Sequence, residues 1–436
     1  MKFNTISVVG LGYIGLPTAA VIASRQQKVI GVDMNPHVVD TINRGEIHII
    51  EPELDAIVHA AVKKGYMRAT TQPEPADAFL IAVPTPFKEE NGKQHEPDLS
   101  YIEAASKAIA PVLQKGNLVI LESTSPVGAT EKMTAWLAQA RPDLTFPHTH
   151  EEDSDIRVAH CPERVLPGHV VRELVENDRV IGGMTEKCSQ AATRLYQLFV
   201  QGECVTTTAR TAEMAKLTEN SFRDVNIAFA NELSIICDKL GIDVWELIRL
   251  ANRHPRVNIL QPGPGVGGHC IAVDPWFIVS KTPEEAQLIH TARKVNDGKP
   301  HWVLDKVKSA VAEFLQENPE RNIKDVTIAC FGLAFKPNID DLRESPALAI
   351  CRNIANWHSG AMCFVEPNIK LLDEELAQHG SLVDQQEAIE KSDVLVMLVD
   401  HREFMNSRRL IANGKKIIDT RGVWLIEETR QVPCLT

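Results

Sequence analysis

The sequence predicts an α/β protein with two doubly wound domains, joined by a central helical region that includes a long bridging helix. Two observations predict this architecture. Near the start of the chain, TISVVG, TAAVIAS and KVIGVD follow one another as strand, helix and strand, and units of this kind build parallel sheets. The same order returns near the end in DVTIACFGLAF, AMCFVEPN, SDVLVMLVDHREF and KKIIDTRGVW.

Composition predicts a soluble globular protein of two or three domains. The 436 residues are 44% hydrophobic and 24% charged, which is ordinary for such proteins. The 46 basic and 58 acidic residues give a net charge of −12, which argues against a general partner of nucleic acids or anionic membranes. Nine cysteines without a C-x-x-C pair favour reduced thiols in the cytoplasm.

Two other readings of the chain are disfavoured. The uncharged run from Phe3 to Ser24 contains three glycines and a proline, so we expect strand, turn and helix rather than a membrane span or a signal peptide. His148 with His150, and His269 with Cys270, have no further partners at ligand spacing. We therefore expect no metal site.

The first glycine-rich turn predicts a dinucleotide site. Gly10, Gly12 and Gly15 follow a strand and open a helix, and Asp33 ends the next strand. In a Rossmann-like domain these glycines allow the tight turn, the approach of a pyrophosphate and the packing of helix on sheet. A carboxylate at the position of Asp33 accepts from a ribose 2′-hydroxyl and repels a 2′-phosphate, which favours NAD over NADP. The alternative is a Rossmann-like fold without a ligand.

The middle of the chain, from about Thr208 to Asn296, is helical by pattern, and Gly241 is placed to end its first long helix. Such a helix could bridge two domains and supply a dimer face. The apolar positions that recur at helical spacing are Met214, Leu217, Val225, Phe229, Leu233, Ile236 and Leu240. A polar set, Glu213, Lys216, Asn220 and Arg223, shares one face of the same helix. It is either a solvated surface or the lining of an internal site.

The second α/β domain lacks the glycine fingerprint. Its turn runs from Gly332 through Phe335 and Lys336, with Arg343 beyond it. The two basic residues indicate either an anion site, such as a nucleotide phosphate, or a solvated charged loop. Ser345 before Pro346 predicts the N-cap and first turn of a helix.

The loop GPGVGGHCIAVDP, from Gly263 to Pro275, places Cys270 after a dense run of glycines and four residues before Asp274. It is either a surface turn beside a buried cysteine or a site where a ligand approaches a nucleophile. In an NAD enzyme a cysteine can trap an aldehyde as a thiohemiacetal, and its oxidation gives a thioester that water cleaves.

The chain resembles the UDP-sugar 6-dehydrogenases of the UDP-glucose/GDP-mannose dehydrogenase family over nearly its whole length. The motifs that carry the resemblance are GLGYIGLPTA, VPTPF, ESTSPVG, CPERVLPG, AEMAKLTENSFRDVNIAFANE, HPRVNILQPGPGVGGHCIAVDPWF, FGLAFKPNIDDLRESP and DTRGVW. The resemblance implies an NAD-binding Rossmann domain over residues 1–207, a helical dimerisation domain over 208–305 and a UDP-sugar-binding Rossmann-like domain over 306–436.

The resemblance also implies roles for individual residues. Cys270 corresponds to the family's nucleophile and Lys216 to its acid/base lysine. Asn220 and Asp274 correspond to its polar partners, with Asp274 as a water-activating group. Thr124 and Glu163 match family positions near the reacting carbon and the nicotinamide. The implied NAD contacts, with the glycines above, are Tyr13, Ile14, Asp33, Thr85, Thr124 and Arg343. The implied UDP-sugar contacts are Arg164, Val165, Lys216, Asn220, Arg223, His254, Arg256, Gly267, Phe335, Lys336 and Arg421. His254 and Arg256 are expected to reach the site of a partner subunit in a homodimer.

Two departures separate this chain from the UDP-glucose branch of the family. Pro167 stands where that branch has a second glutamate, and Val273 where it often has a lysine, whereas HCIAVDP is typical of the N-acetylhexosamine branch. The expected reaction is the oxidation of UDP-N-acetylmannosamine at C6 to the uronic acid, for a surface polysaccharide such as enterobacterial common antigen. The alternatives are UDP-N-acetylglucosamine or UDP-glucose as substrate, a two-electron alcohol dehydrogenase, and a nucleotide sensor without turnover.

Overall fold

The computed structural model describes residues 3–49, 51–88, 95–165, 168–268, 270–405, 407–411 and 414–424. The chain forms two compact units, Met1–Glu219 and Asn220–Thr436. Both are α/β in their sheet-forming parts, and the predicted fold class is confirmed. The three-domain division stays a prediction.

The first unit contains an eight-stranded sheet in the order β3-β2-β1-β4-β5-β6-β7-β8. All neighbouring pairs are parallel except β6 with β7. The strands are β1 (Thr5–Val9), β2 (Lys28–Val32), β3 (Met67–Thr70), β4 (Ala78–Ile81), β5 (Leu118–Leu121), β6 (Arg157–His160), β7 (Arg179–Gly183) and β8 (Cys204–Thr208). The first six follow the doubly wound order of dinucleotide-binding domains.

Helices cover both faces of this sheet and bury two apolar clusters against it. They are α1 (Gly15–Ser24), α2 (Pro36–Asn43), α3 (Leu54–Lys63), α4 (Ser100–Ile109), α5 (Ala129–Ala140), α6 (Pro147–His150), α7 (Val170–Glu176) and α8 (Glu186–Tyr196). Strands such as β4 and β5 are buried along their whole length, as expected for parallel strands covered on both faces.

The long helix α9 (Ala209–Leu240) begins in the first unit and ends in the second. It ends where the sequence predicted, because Gly241 adopts a φ of +67°, a conformation that glycine tolerates better than other residues. The helices that follow are α10 (Val244–Ala251), α11 (Asp274–Lys281) and α12 (Gln287–Glu317), the last with Pro300 inside it.

The second unit contains a five-stranded parallel sheet in the order β11-β10-β9-β12-β13. Its strands are β9 (Ile328–Phe331), β10 (Met362–Val365), β11 (Gly380–Leu382), β12 (Val394–Met397) and β13 (Lys416–Asp419), and its helices are α13 (Pro346–Trp357), α14 (Glu374–Ala377) and α15 (Gln385–Lys391). Ser345 caps α13 as predicted, because its side chain accepts from the amide of Leu348.

The second sheet repeats the order of the first five strands of the first sheet, and the two sheets share the geometry of their first turn. Gly10 follows β1 and Gly332 follows β9, and each has a φ of +90°. Each amide also donates a 2.8 Å hydrogen bond to the carbonyl at the end of the neighbouring strand, that of Val32 or Val365. The similarity between the two halves, coarse in sequence, thus extends to the order of these strands and the backbone of the first turn. No helix in the described part of the chain is long and apolar enough to span a membrane.

Candidate active site

The glycine turn of the first unit fits a dinucleotide. A Cβ on Gly15 would lie 1.8 Å from the carbonyl oxygen of Gly10, and one on Gly10 would lie 2.6 Å from that of Ala82, so neither position admits a side chain. A Cβ on Gly12 would meet nothing within 4 Å, which leaves open space beside the backbone at the start of α1. These are the requirements of a pyrophosphate site at a helix N-terminus.

Asp33 lies at the end of β2, where the ribose carboxylate was predicted. Its Oδ2 accepts from the amide of Leu11 at 3.0 Å, and its Oδ1 accepts from the amide of Asn35 at 2.9 Å. These two bonds hold the carboxylate beside the glycine turn. Each oxygen has a second lone-pair direction with which to accept from a hydroxyl.

Thr85 and Thr124 follow β4 and β5, which are neighbours in the sheet. The hydroxyl of Thr85 donates to the carbonyl oxygen of Thr124 at 2.5 Å. The structure thus brings together two predicted NAD contacts at the carboxyl edge of the strands, where ligands of such sheets bind. Tyr13 is exposed and Ile14 half-buried beside the glycine turn.

Glu163 is buried just beyond β6 and forms an ion pair with Arg179. Its Oε2 lies 2.7 Å from Nη1 of Arg179, and its Oε1 accepts from the amide of Arg164 at 2.7 Å. The Nη2 of Arg179 donates to the carbonyl of Leu174. Glu163 was predicted from its motif, whereas Arg179 was missed because it belongs to no motif.

The predicted substrate residues of the same loop are less enclosed. Arg164 is half-buried and pairs with Glu219 at 2.6 Å. Val165 packs partly buried against the core of the first unit. Pro167, named above as a departure from the glucose branch, lies outside the described residues.

Two further buried groups adjoin the Glu163–Arg179 pair and were also missed. The hydroxyl of Tyr196 donates to Oε1 of Glu122 at 2.8 Å, and the guanidinium of Arg179 lies 5.7 Å from the centroid of the Tyr196 ring. Burial and the charge of Glu163 raise the pKa of Glu122 to about 8.

The polar set predicted on α9 divides between different environments. Glu213 is buried in the first unit, where its carboxylate accepts from the amides of Gly128 and Thr130 and from the hydroxyl of Thr130. It therefore closes the N-terminus of α5. Lys216 is buried, Asn220 half-buried and Arg223 exposed.

Asp274 begins α11 in the second unit, one turn after Cys270. The amide of Asp274 donates to the carbonyl of Cys270 at 2.8 Å, and its Oδ2 accepts from the side-chain amide of Asn220 at 2.5 Å. Cys270 itself is exposed, while each other described cysteine is at least half-buried. The interpretation of this cysteine as a buried hydrophobe is therefore wrong.

The glycine loop before Cys270 lies against the sheet-forming part of the second unit. A Cβ on Gly263 would lie 2.6 Å from Nη1 of Arg421, and one on Gly268 would lie 3.0 Å from the ring of Phe335. A Cβ on Gly267 would lie 2.3 Å from the carbonyl of Glu344. Close packing against backbone thus requires glycine at position 267, and the loop places Gly267 against Phe335 and Gly263 against Arg421. His269 lies outside the described residues.

A buried hydrogen-bond network, also missed from sequence, anchors the start of this loop to α9. Oδ1 of Asn231 accepts from the amide of Gly263, and its side-chain nitrogen donates to Asn296. Asn296 in turn donates to Asp224, which is paired with Arg293 at 2.6 Å.

The turn of the second sheet is occupied by the protein's own side chains. Glu366 follows β10 where Asp33 follows β2, and its Oε2 accepts from the amides of Leu333 and Ala334. His401 lies 3.0 Å from the same oxygen. Burial raises the pKa of Glu366, but the hydrogen bonds from His401 and from the backbone amides outweigh burial and hold this pKa below its ordinary value. This buried carboxylate does not offer the ribose contact expected of Asp33.

The remaining predicted residues lie nearer the surface. Lys336 is half-buried, and Arg343 is exposed and paired with Asp341 at 2.6 Å. His254 and Arg256 are both exposed. No group of three potential metal-ligating side chains is found among the residues that the structure describes.

The predicted catalytic residues are distributed over both units. Glu163 and Lys216 belong to the first, and Asn220, Cys270 and Asp274 to the second. Within the second unit, the structure joins Asn220, Asp274 and Cys270 through successive contacts. That arrangement suits nucleophilic attack by a thiol followed by hydrolysis.

Comparison with known proteins agrees with this geometry. The chain is 66% identical over 424 residues to a UDP-N-acetyl-D-mannosamine dehydrogenase of Yersinia pestis, covering 97% of this chain and 100% of that protein. It is 65% identical over 424 residues to an NDP-N-acetyl-D-galactosaminuronic acid dehydrogenase of Ralstonia nicotianae, covering 97% of each.

Solved structures give the same result. A UDP-D-ManNAc dehydrogenase of Pyrococcus horikoshii superposes with a TM-score of 0.83 at 39% identity, covering 97% of this chain and 96% of that one. A UDP-N-acetyl-mannosamine dehydrogenase of Staphylococcus aureus gives 0.80 at 41% identity, covering 96% and 95%.

The family's domains match in order along the chain. Residues 4–200 match the NAD binding domain of the UDP-glucose/GDP-mannose dehydrogenase family, residues 210–298 its central domain and residues 329–425 its UDP binding domain. With the glycine turn described above, the first match confirms NAD as the predicted cofactor. The chain therefore belongs to the UDP-glucose/GDP-mannose dehydrogenase family, as its motifs predicted.

Proposed function

We propose that this protein oxidises C6 of a UDP-N-acetylhexosamine to the uronic acid in two successive two-electron steps. The preferred substrate in this proposal is UDP-N-acetylmannosamine. The observation that carries the proposal is the exposed thiol of Cys270, one helical turn before a carboxylate held by Asn220. A two-electron alcohol dehydrogenase needs no such thiol, whereas acid formation through a thioester does.

The chemistry divides between the cofactor and the chain. When bound, NAD accepts a hydride, and two molecules of NAD are consumed for each acid formed. The residues proposed to hold it are the glycines of the first turn, Asp33, Thr85 and Thr124. Tyr13, Ile14 and Arg343 complete the set by resemblance to the family.

The chain's residues carry the remaining steps. The thiolate of Cys270 adds to the carbonyl carbon of the C6 aldehyde and forms a thiohemiacetal, whose oxidation gives a thioester. Water then attacks the thioester carbon, the C–S bond breaks, and the thiol and the carboxylate of the product are released. We assign Lys216 to stabilising the oxyanions, and Asp274 with Glu163 to orienting the water and taking its proton.

The UDP-sugar contacts are proposed from the family and from their convergence in the second unit. Gly267 lies against Phe335 there and Arg421 lies against Gly263 in the same loop, and Lys336 follows Phe335 in the chain. Arg164, Val165, Arg223 and Asn220 complete the proposed set within one chain.

A homodimer is part of the proposal. From its middle to its C-terminus, α9 exposes Phe222, Phe229, Ile236 and Leu240 at spacings of seven, seven and four residues, which place them along one side of a helix. Large apolar side chains aligned in this way are typical of a helix that packs against a partner. A second copy of this chain would cover them and bring His254 and Arg256 to the partner's substrate.

We place the enzyme in the cytoplasm, where reduced thiols persist.

The relatives support a second candidate for the sugar. Proteins named for N-acetylmannosamine and for N-acetylgalactosaminuronic acid match this chain at 66% and 65% identity, a difference too small to choose between them. The test is a panel of UDP-N-acetylmannosamine, UDP-N-acetylgalactosamine, UDP-N-acetylglucosamine and UDP-glucose, assayed for NADH release and acid formation. We expect two NADH for each acid formed. One NADH per sugar with an aldehyde product would exclude the thioester route, and no NADH with any sugar would favour a sensor.

A further inference from the structure

The feature of interest is a buried acidic group beside Glu163, on the neighbouring strand. Strands β5 and β6 are parallel, with Leu121 opposite His160. Glu122 and Cys161 are the next residues, and the amide of Cys161 donates to the carbonyl of Leu121 at 3.0 Å. The carboxyl edge of the sheet therefore places Glu122 next to the loop that carries Glu163.

Glu122 is fully enclosed and only partly hydrogen-bonded. Its Oε1 accepts from the hydroxyl of Tyr196 at 2.8 Å. Its Oε2 has no hydrogen-bond partner among the described residues. An ionised carboxylate buried with one oxygen unbonded is costly, whereas a carboxylic acid needs fewer partners.

The titratable groups around Glu122 provide no positively charged side chain that pairs with Glu122 itself. Glu163 and Cys161 face it from the loop after β6, Arg179 from β7 and Tyr196 from α8. Arg179 is the one cation in this described set, and it is already bonded to Glu163 at 2.7 Å. His160 on β6 is buried too, and burial lowers its pKa to about 3, so it contributes no positive charge.

We propose that Glu122 is a positioning residue for the reaction, which as a neutral carboxylic acid does not compete with Glu163 for Arg179. In this state the cluster has one carboxylate and one guanidinium and is electrically balanced. Loss of the proton from Glu122 creates a second buried anion that competes for Arg179. The side chain of Glu163 then loses its fixed position. The inference rests on the proposed role of Glu163 in thioester hydrolysis.

The ionisation of Glu122 falls in a range where it can be observed. Its pKa is raised to about 8 by burial and by the charge of Glu163. The proton is thus retained at neutral pH and lost under mildly alkaline conditions. We expect kcat of the wild-type enzyme to fall above pH 8 while KM for the UDP-sugar changes little, because Glu122 acts through Glu163 and not on the bound nucleotide.

The test compares the wild type with Glu122→Gln, whose amide has nearly the shape of the neutral acid and cannot ionise. The kcat of each protein is measured with saturating NAD and UDP-N-acetylmannosamine between pH 6 and 10. At pH 9, about one unit above a pKa near 8, roughly one-tenth of the wild-type enzyme retains the proton, so its kcat should be about tenfold below the value at neutral pH. The kcat of Glu122→Gln should not show this fall. An unchanged alkaline fall in Glu122→Gln would overturn the proposal, since that fall would then belong to another group.

A second measurement does not depend on turnover. Infrared difference spectra of the wild type between pH 7 and pH 10 should show the loss of a carboxylic-acid C=O band that is absent from Glu122→Gln. If the band is missing at pH 7, Glu122 is ionised and the inference fails. If the band is present but no UDP-sugar is oxidised, the proposed function fails while the neutral state of Glu122 stands. The variant Tyr196→Phe removes the hydroxyl bonded to Oε1, and we expect it to raise the pH at which the band is lost.

Discussion

The side-chain amide of Asn220 donates a hydrogen bond of 2.5 Å to Oδ2 of Asp274. One residue lies on α9 and the other begins α11, and both belong to the second unit. Because the backbone of Asp274 is also bonded to Cys270, the long helix sets the position of the carboxylate relative to the thiol.

Asp274→Asn should separate the oxidation steps from hydrolysis. The amide preserves the shape of the side chain but takes up no proton, so we expect kcat to fall by about 10² to 10⁴. The acyl-enzyme should accumulate, which intact-protein mass spectrometry detects as a UDP-sugar adduct on Cys270. Asn220→Ala, the comparison variant, removes the hydrogen bond to Asp274 and a proposed sugar contact but leaves the carboxylate in place, so it should accumulate less acyl-enzyme. Unchanged turnover in Asp274→Asn would exclude this residue from hydrolysis.

The exposure of Cys270 predicts selective reaction with alkylating agents. Iodoacetamide at a low molar ratio should label Cys270 before the half-buried Cys204 and should abolish acid formation. Peptide mass spectrometry identifies the labelled residue. Cys204→Ser should leave activity and its loss on labelling unchanged, whereas Cys270→Ser should form no acid. Acid formation by Cys270→Ser at the wild-type rate would rule out the covalent mechanism.

Glu213→Ala should destabilise the first unit. The carboxylate accepts two backbone hydrogen bonds and one from a hydroxyl at the start of α5, and these donors would lose their partner inside the protein. We expect a loss of about 3 kcal/mol in the free energy of unfolding, measured with urea. Arg210→Ala is the control, because it breaks the exposed pair with Glu131 and should cost less than about 1 kcal/mol. Equal effects of the two variants would contradict this role of Glu213.

The raised pKa of Glu122 also predicts how stability depends on pH. The folded protein retains the proton up to about pH 8, whereas the unfolded chain releases it near the ordinary value of 4.5. The stabilising effect of that proton is therefore complete below pH 4.5 and is lost as the pH rises to 8. Glu122→Gln should be more stable than the wild type at pH 9, by up to about 5 kcal/mol, and nearly equal to it at pH 4. A stability difference that does not vary with pH would disprove the shift.

Phe229→Glu should weaken the proposed dimer. Phe229 is 52% exposed within the apolar row on α9, and a charge placed there would be buried against the partner helix at a cost of several kcal/mol. Light scattering after size-exclusion chromatography should show a monomer. Leu371→Glu, at an 84% exposed position in the sheet-forming part of the second unit, should remain a dimer. The proposed interface is wrong if both variants keep the mass of the wild type.

The sequence by itself determined the features that depend on neighbouring residues. The turn at Gly10, the end of α9 at Gly241 and the cap at Ser345 follow from backbone preferences and short-range hydrogen bonds. The strand order follows from repeated strand–helix–strand units, and the carboxyl edges of the strands then bring Thr85 and Thr124 together. Each of these features can be predicted from hydrophobic periodicity and from the spacing of residues within a short segment of the chain.

Only the tertiary structure decided which buried polar groups meet. Glu213 closes a helix that begins 84 positions earlier, Arg179 pairs with Glu163 across two strands, and Asn231 holds Gly263. Spacing along α9 places Glu213 on a helix face but does not predict its partner, and Arg179 and Asn231 belong to no such pattern. A buried polar group takes whichever partner the completed fold places within hydrogen-bond distance. For the same reason, the sequence does not predict the behaviour of Glu122, which directly follows strand β5. Enclosure by Tyr196, Cys161 and Glu163 is what makes its ionisation abnormal.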